Sequence, residues 1–495
     1  MHTESIAANL SPDPILSAID GYCGTIHDLD RGSSVSSAEF HRGRNALARR
    51  IRSLGLHKGD RVVLALANGP QFIAMLDAVL HCGGSPVLAH TLTPPAEIRR
   101  TALRFGAKFA TCDAWPESDM ADVSTAVSQV SESDWLQMLW STIEEADPTF
   151  ADSSPALAGV PLHQTSGTTG VPKLAIRPGD AAVAEASHYI DAIGIEEDDS
   201  VIVVSPMSHA YAYGMGVMVP MLSGADIVSM KKFQPKLVYS AFAASLATIF
   251  PAVPAMLDIL SLGAGDRLRN SPRKVFAAGA PLPDRVARSY GEKSGTKVRP
   301  LYGTTETGGI SVGSEDCDAL SSGCAGLPMS GVETELCSGE PNAAGDDIDL
   351  QILHVRSSSM MAGYLGPDGI DRTAVNDGWF ATGDVSQIDE AGNIYLRGRI
   401  TEVINVAGMK VVPSEVEEVI MSLPQVQEAK VYAGNSPAGM QFVKAAVVAE
   451  GAIESKDIRA HCAAQLIYYK RPSMVLMVDA LPKSPSGKVV FAELP

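Results

Sequence analysis

The chain has 495 residues, of which 45% are hydrophobic, 19% charged and 6% aromatic. That is a globular composition, which excludes wholesale disorder and leaves room for roughly two to four domains. Its 57 acidic and 39 basic residues give a formal net charge of −18, which disfavours a nonspecific nucleic-acid coat or an anionic-membrane binder.

The N-terminal stretch MHTESIAANLSPDPIL lacks a basic region followed by an apolar one, so no signal peptide is read and a cytoplasmic protein is expected. Residues 36–54 have helical spacing with basic residues on the outer face. RVVLALAN (61–68) reads as a buried strand, and FIAMLDAVLHCGG (72–84) as a helix closed by glycines. Such strand–helix alternation predicts an α/β layer. Residues 113–160 are less regular and carry no assignable task. Ala241–Leu260 is long enough to span a membrane, but its alanines, Pro251, Pro254 and Asp258 favour a buried helix running into a strand. Three apolar runs end in polar, glycine-containing segments: SVIVVSPMSHAYAYG (200–214), KVFAAGAPLP (274–283) and KVRPLYGTTET (297–307). Ligands of open parallel sheets bind beyond the carboxyl ends of strands, so these three nominate one crevice. Residues 342–400 read as a β-rich layer, and a smaller α+β segment with a helix from Ser414 follows Arg399. The expected architecture is therefore α/β: a large N-terminal multi-layer domain (1–398) with a β-rich subdomain, and a small α+β C-terminal domain (399–495). Seven cysteines, odd in number and without C-x-x-C spacing, read as buried thiols of a reducing compartment, not as a disulfide framework or a zinc site.

TSGTTGVPK, Thr165 to Lys173, is the strongest chemical signal. Its glycines and hydroxyls offer backbone N–H and O–H donors to a polyphosphate, and its lysine offers charge. It lacks the Walker A spacing. No acidic residue occurs from Ser153 to Gly179, where average composition would place about three. Lys173 and Arg177 make this stretch a positive island in a negative chain.

TSGTTGVPK resembles the phosphate-loop signature of the adenylate-forming superfamily of acyl- and aryl-CoA ligases, nonribosomal adenylation domains and luciferases. SPMSHAY (205–211), AAGAPL (277–282), YGTTET (302–307), GWFATGD (378–384), LRGRITEVINVAGMKVVPSEVEEVI (396–420) and PKSPSGK (482–488) arrive in the order of that family. The resemblance runs from about residue 36 to the end and implies a mobile C-terminal domain. It implies ATP and Mg²⁺ as cofactors, a small-molecule carboxylic acid as substrate, and CoA, or a carrier protein's thiol, as acceptor; no nucleic acid and no membrane enter. It further implies that Thr165, Ser166, Gly167, Thr168, Thr169, Gly170 and Lys173 hold phosphates. Tyr302, Gly303 and Thr304 flank the nucleotide, Thr305 contacts the α-phosphate and Glu306 holds Mg²⁺. Gly279 and Ala280 line the adenine and acyl pocket, although from the residues alone that segment reads equally as a tight turn before Pro281. Asp384 would accept both ribose hydroxyls, which suits a carboxylate. Arg399 would contact ribose and phosphate. Lys488 would be the catalytic lysine that approaches the carboxylate and the α-phosphate, since fixed positive charge is the main help available when two anions meet.

By the same resemblance, His209, Ala210 and Tyr211 belong to the substrate pocket. Ala210 cannot donate a hydrogen bond to a ring substituent, and Tyr211, Tyr213, Met215 and Met218 predict apolar walls for a flat ring, although Met218 reads at least equally as core filling. Amino-acid-activating members use an aspartate near here, and none occurs between Asp199 and Asp226. An aromatic acid is expected first, a medium-chain fatty acid second. Thr401 stands at the family's hinge, usually Asp or Lys, and Gly408 matches a glycine beside the thiol channel. Residues after Lys488 (VVFAELP) lack the usual basic residue. Three readings compete: adenylation followed by transfer to a thiol, adenylation alone or carrier loading, and a noncatalytic nucleotide binder. The intact set Lys173, Glu306, Asp384, Arg399 and Lys488 weighs against the last.

The acidic excess is uneven. Residues 396–495 hold 11 basic and 10 acidic residues, so the first 395 hold 28 and 47. The small domain that is expected to bring Arg399 and Lys488 is close to neutral.

Overall fold

The structure, a computed structural model, describes residues 13–113, 126–143, 157, 159–165, 173–263, 265–314, 323–338, 350–366, 369–406, 409–435, 441–466, 468–484 and 489–495. Two large sheets carry the N-terminal part. In the first, parallel strands lie in the spatial order Thr25–Asp28, Asp226–Ser229, Ser200–Val203, Ile249–Ala252, Lys274–Ala277 and Val298–Thr304. Their β-branched and apolar residues are largely buried, as expected where helices cover both faces. The sheet then continues antiparallel through Gly308–Val312 and Cys324–Pro328 into a β-rich layer of Ile394–Arg399, Trp379–Ile388, Gln351–Ser357 and Val332–Ser338.

The second sheet runs Gly369–Asp371, Gly363–Gly366, Lys173–Ile176, Leu162–Thr165, Ser85–Leu88, Arg61–Ala65 and Ala107–Cys112, and ends in the hairpin Ala126–Ser133 and Leu136–Thr142. That hairpin occupies part of the irregular stretch 113–160, where no task could be assigned. Helix Ser37–Ser53 forms as its spacing predicts. It buries Phe40, Arg44, Leu47, Ala48 and Ile51, and Ser36 with Glu39 closes a capping box at its start. Ala241–Leu260 is not one helix running into a strand. It is the end of helix Pro235–Ala243, the strand Ile249–Ala252 and the start of helix Pro254–Gly263. No helix among the described residues is long and apolar enough to cross a membrane.

Each sheet has a point where its strand order reverses. After Ser200–Val203 the chain passes to a strand on one side, Asp226–Ser229, and then to one on the other, Ile249–Ala252. After Arg61–Ala65 it does the same, with Ser85–Leu88 and Ala107–Cys112. Such points leave a crevice beyond the strand ends. Asn68, only 4% exposed, fastens the two together. Its Nδ2 donates to the Ser205 carbonyl at 2.8 Å and its Oδ1 accepts from the Met207 N–H at 2.7 Å.

The C-terminal part has its own core of Ile404, Val411, Val416, Ile420, Val431 and Val443, among others. Around it lie the pair Ile404–Val406 and Met409–Val411, helices Pro413–Met421 and Ser455–Gln465, and the sheet Val426–Asn435, Gln441–Ala449 and Met474–Met477. Thr401 lies in a 3₁₀ turn, Ile400–Glu402, between the two parts. The helix expected from Ser414 begins at Pro413, which is tolerated in a first turn; Ser414 donates its hydroxyl to the Arg397 carbonyl. None of the six described cysteines is joined in a disulfide. Cys82, Cys112, Cys324 and Cys462 are buried as expected, whereas Cys23 is exposed and Cys337 half-buried.

Candidate active site

The loop of Thr165 to Lys173 joins two antiparallel strands whose last rung pairs Thr165 with Lys173. Ser166, Gly167, Thr168, Thr169 and Gly170 lie outside the described residues, as do Gly408 and Lys488. Lys173 is exposed, and its ammonium sits 4.9 Å from the centre of the Tyr364 ring. Arg177, four residues on, behaves differently from the expectation that it adds free charge to the island. Its side chain is 1% exposed and pairs with Glu185, itself 2% exposed, at 2.9 Å. The acid-free window is answered by a carboxylate from helix Gly179–Ile193, so Lys173 alone of the two presents its charge outward.

The buried pair reaches the YGTTE segment. Arg177 Nη1 donates to the Thr305 carbonyl at 3.3 Å. Glu185 Oε1 accepts from the Gly309 N–H at 3.1 Å and from the Tyr189 hydroxyl at 3.3 Å. Residues 304–307 thereby sit in a tight turn, two of whose three threonine hydroxyls, Thr304 and Thr307, meet at 3.1 Å. Gly303 is demanded by packing, since a Cβ there would overlap the Gly308 carbonyl oxygen across the rung.

Glu306 is half-buried and held on two sides by one segment. Its carbonyl accepts from the Met361 N–H at 2.7 Å, and its carboxylate Oε1 accepts from the Tyr364 hydroxyl at 2.8 Å. Burial, then the Glu306 charge, holds the Tyr364 phenol well above its ordinary range, so it stays a donor. A carboxylate with one oxygen fixed by a neutral phenol suits a hard divalent cation, which takes oxygen ligands and few of them from protein. The chemistry of the donors therefore fits Mg²⁺ at Glu306.

Tyr302, Asp384 and Arg399 converge. The Tyr302 hydroxyl donates to Asp384 Oδ2 at 2.5 Å, and Arg399 Nε lies 2.7 Å from Asp384 Oδ1. Asp384 and Arg399 are rung partners on neighbouring strands, while Tyr302 comes from the end of a parallel strand 82 positions away. Arg399 Nη1 also donates to the Thr382 carbonyl at 2.7 Å. Burial and the Asp384 charge hold the Tyr302 phenol well above its ordinary range, so it remains protonated beside the carboxylate. Gly383 permits this approach with φ +75°.

Gly279 and Ala280 follow the end of Lys274–Ala277, next to the Tyr302 strand. Gly279 has φ +83°, so any larger residue is strained there whatever space the pocket offers. His209 is exposed at the start of the short helix Ala210–Tyr213, with Ala210 and Tyr211 half-buried behind it. Tyr213, Met215 and Met218 do not join them at a pocket wall. They are at most 1% exposed and belong to the central core, which narrows the expected walls to Tyr211.

Four contributors carry no sequence signal: Asn68, His90, Glu185 and Tyr364. The His90 ring lies 5.9 Å from that of His209, at the end of a strand of the other sheet. Burial lowers the His90 imidazole below its ordinary range, favouring the neutral form. Deeper in, burial pushes His163 down to about 3, with Arg177 and His209 adding to the effect. His163 packs edge-on against Tyr213 as a neutral core side chain.

Comparison with known proteins identifies the family. Residues 18–365 match the model of the AMP-binding enzyme family, and residues 415–488 that of the AMP-binding enzyme C-terminal domain. A 4-coumarate–CoA ligase of Oryza sativa subsp. japonica is 27% identical, with 96% of this chain and 88% of that protein covered. A long-chain-fatty-acid–CoA ligase of Mycobacterium tuberculosis is likewise 27% identical, with 90% of each covered. The ATP-bound crystal structure of MatB from Rhodopseudomonas palustris shares the fold, with a TM-score of 0.83 and 24% identity over 97% of both chains.

Proposed function

The chain belongs to the AMP-binding enzyme family, and from that premise we propose that it joins an aromatic carboxylic acid to CoA in two half-reactions. In the first, a carboxylate oxygen attacks the α-phosphorus of ATP, the bond to the bridging oxygen breaks and pyrophosphate leaves. In the second, the CoA sulfur attacks the acyl carbon, AMP departs with its phosphate oxygen and the thiol proton passes to solvent.

The observation that carries the reading is the meeting of Tyr302, Asp384 and Arg399. A carboxylate aligned by a phenol and a guanidinium is prepared to accept two neighbouring hydroxyls, as a ribose presents them. Arg399 then stands where its remaining N–H groups meet phosphate, which its planar fork suits. Thr304 and Thr305, in a turn that Arg177 and Glu185 brace from behind, would contact the triphosphate. Lys173 would supply charge from the opposite sheet, with Ser166 to Gly170 offering backbone donors. Glu306 would hold Mg²⁺, with Tyr364 orienting the carboxylate. The ion, when bound, neutralises phosphate charge. Lys488 would be delivered by the C-terminal part pivoting at Thr401, with Gly408 beside the path of the thiol.

For the acid, Gly279 and Ala210 present no bulk, while Tyr211 and the facing His90 and His209 rings offer flat surfaces. Similarity is equal to a 4-coumarate–CoA ligase and to a long-chain-fatty-acid–CoA ligase, so the flat lining is what favours an aromatic acid over the fatty-acid alternative. A reducing cytoplasmic setting suits six described cysteines with no disulfide among them.

Carboxylate-dependent ATP–pyrophosphate exchange across a panel of aromatic and aliphatic acids tests the proposal, with Lys488→Ala as control. Exchange with aromatic acids, lost in the variant, followed by acyl-CoA formation, is the expected result. Exchange without acyl-CoA would move the acceptor to a carrier protein or end the reaction at the adenylate. ATP binding without exchange for any acid would overturn the enzymatic reading.

A further inference from the structure

We infer that Glu335, Cys337 and His354 form a binding site for a thiophilic divalent cation, of which Zn²⁺ fits best. The site is independent of the nucleotide-binding residues. It arises from the register of two antiparallel strands, Val332–Ser338 and Gln351–Ser357, in which Glu335 lies directly opposite His354. Residues two apart on a strand share a face, and so do cross-strand partners. One carboxylate oxygen, one sulfur and one imidazole nitrogen therefore leave the same patch, and their ligand atoms all lie within 4.8 Å of one another.

The distances suit a small tetrahedral ion. The Cys337 thiol donates to Glu335 Oε1 with a separation of 3.5 Å. With Zn–S near 2.3 Å and Zn–O near 2.0–2.2 Å, a tetrahedral edge between those two atoms comes to about 3.5 Å. That edge is already set, and a His354 ring nitrogen lies within 4.8 Å of both atoms. Three protein ligands leave the fourth position to water, since Glu335 is exposed and the other two are half-buried. Sulfur together with imidazole selects Zn²⁺ over Mg²⁺ or Ca²⁺, which prefer oxygen alone. The competing cation is engaged elsewhere: Arg356, on the next rung of that face, pairs with Glu333 and lies 4.7 Å from the centre of the Trp379 ring. Binding replaces the thiol proton by the metal and releases that proton to solvent, so affinity rises with pH. Occupancy would clamp two strands of the β-rich layer, the second of which pairs with the strand carrying Asp384.

The absence of C-x-x-C spacing conceals this set, because the third ligand lies 17 positions beyond Cys337 and joins only through pairing.

The test uses the full chain, reduced and freed of metal, with Co²⁺ as a spectroscopic probe and Zn²⁺ as competitor. One equivalent of Co²⁺ should give a thiolate-to-cobalt charge-transfer band and tetrahedral visible bands, displaced by Zn²⁺. Cys337→Ser should abolish the charge-transfer band, while Cys23→Ser should leave it. His354→Ala should weaken Zn²⁺ binding by at least about tenfold, as expected when a ligand is lost. Zn²⁺ should also raise the thermal midpoint of the wild type and not that of Cys337→Ser. Circular dichroism confirms that each variant folds. Absence of the charge-transfer band, its survival in Cys337→Ser, or Zn²⁺ affinity indifferent to His354→Ala would each overturn the assignment.

Discussion

Replacing Arg177 by Met probes the buried brace behind the turn proposed to contact phosphate. The guanidinium and the Glu185 carboxylate are 1% and 2% exposed and 2.9 Å apart. Methionine fills much of the same volume, so the loss is mainly electrostatic. Glu185 would keep the Gly309 N–H and the Tyr189 hydroxyl but lose the cation paired with it. Removing one member of a buried pair costs about 3–5 kcal/mol, because the other is left as an uncompensated charge. Adding Glu185→Gln removes that charge while keeping an acceptor for Gly309, and should recover about 1–3 kcal/mol of the loss. Function should not recover in parallel, because Thr305 has still lost the donor to its carbonyl. Loss of a hydrogen bond to a charged donor, about 1.5–3 kcal/mol, corresponds to roughly tenfold to a hundredfold in exchange rate. Denaturant unfolding and ATP–pyrophosphate exchange on both variants make the separation visible. If Arg177→Met unfolds within about 1 kcal/mol of wild type, on the order of a surface change, and exchanges normally, the pair is no brace.

Tyr364→Phe removes the hydroxyl that holds Glu306 at 2.8 Å, so the Mg²⁺ concentration required for half-maximal exchange should rise roughly tenfold while the acid KM stays put. A uniform rate loss at every Mg²⁺ concentration would argue against that role. Gly303→Ala forces a methyl group onto the Gly308 carbonyl, and should destabilise the domain by about 1–3 kcal/mol in denaturant unfolding; no change would show that the rung opens freely. A pH effect on stability should come from His81. Burial opposes its charge, but the Asp77 carboxylate 2.7 Å away outweighs that and raises its pKa overall. The stabilisation is therefore fully present below the ordinary histidine value of about 6.5 and fades as pH rises through the elevated one. His81→Gln should flatten that part of a stability-versus-pH curve, and an unchanged slope would refute the assignment.

What the sequence reveals and conceals follows from where each contact originates. Tyr302, Glu306, Asp384 and Arg399 sit in short motifs that the family resemblance picks out, whereas each residue taken singly reads as a turn or surface group. The helix over 37–53 is plain, because its cap and its apolar face are local features. Tyr364 and Glu185 are hidden because their partners, Glu306 and Gly309, lie 58 and 124 positions away. Asn68 reads as the last residue of a buried strand until Ser205, 137 positions on, is seen to accept its amide. Arg177 shows the opposite failure. A window without acids counts its charge correctly, but cannot show that helix Gly179–Ile193 turns Glu185 back onto it. Met215 and Met218 read as pocket lining because thioethers suit flat rings, yet the same adaptability suits core filling, and burial decides for the core.

The proposal that Tyr302, Asp384 and Arg399 together meet a nucleotide ribose is tested most directly by pyrophosphate exchange in Asp384→Ala. With a saturating aromatic acid, the wild type should incorporate labelled pyrophosphate into ATP. The variant should lose at least about tenfold in kcat/KM for ATP, as expected when a carboxylate that accepts two hydroxyls is removed. Exchange in Asp384→Ala equal to that of the wild type, with the protein folded, would contradict it.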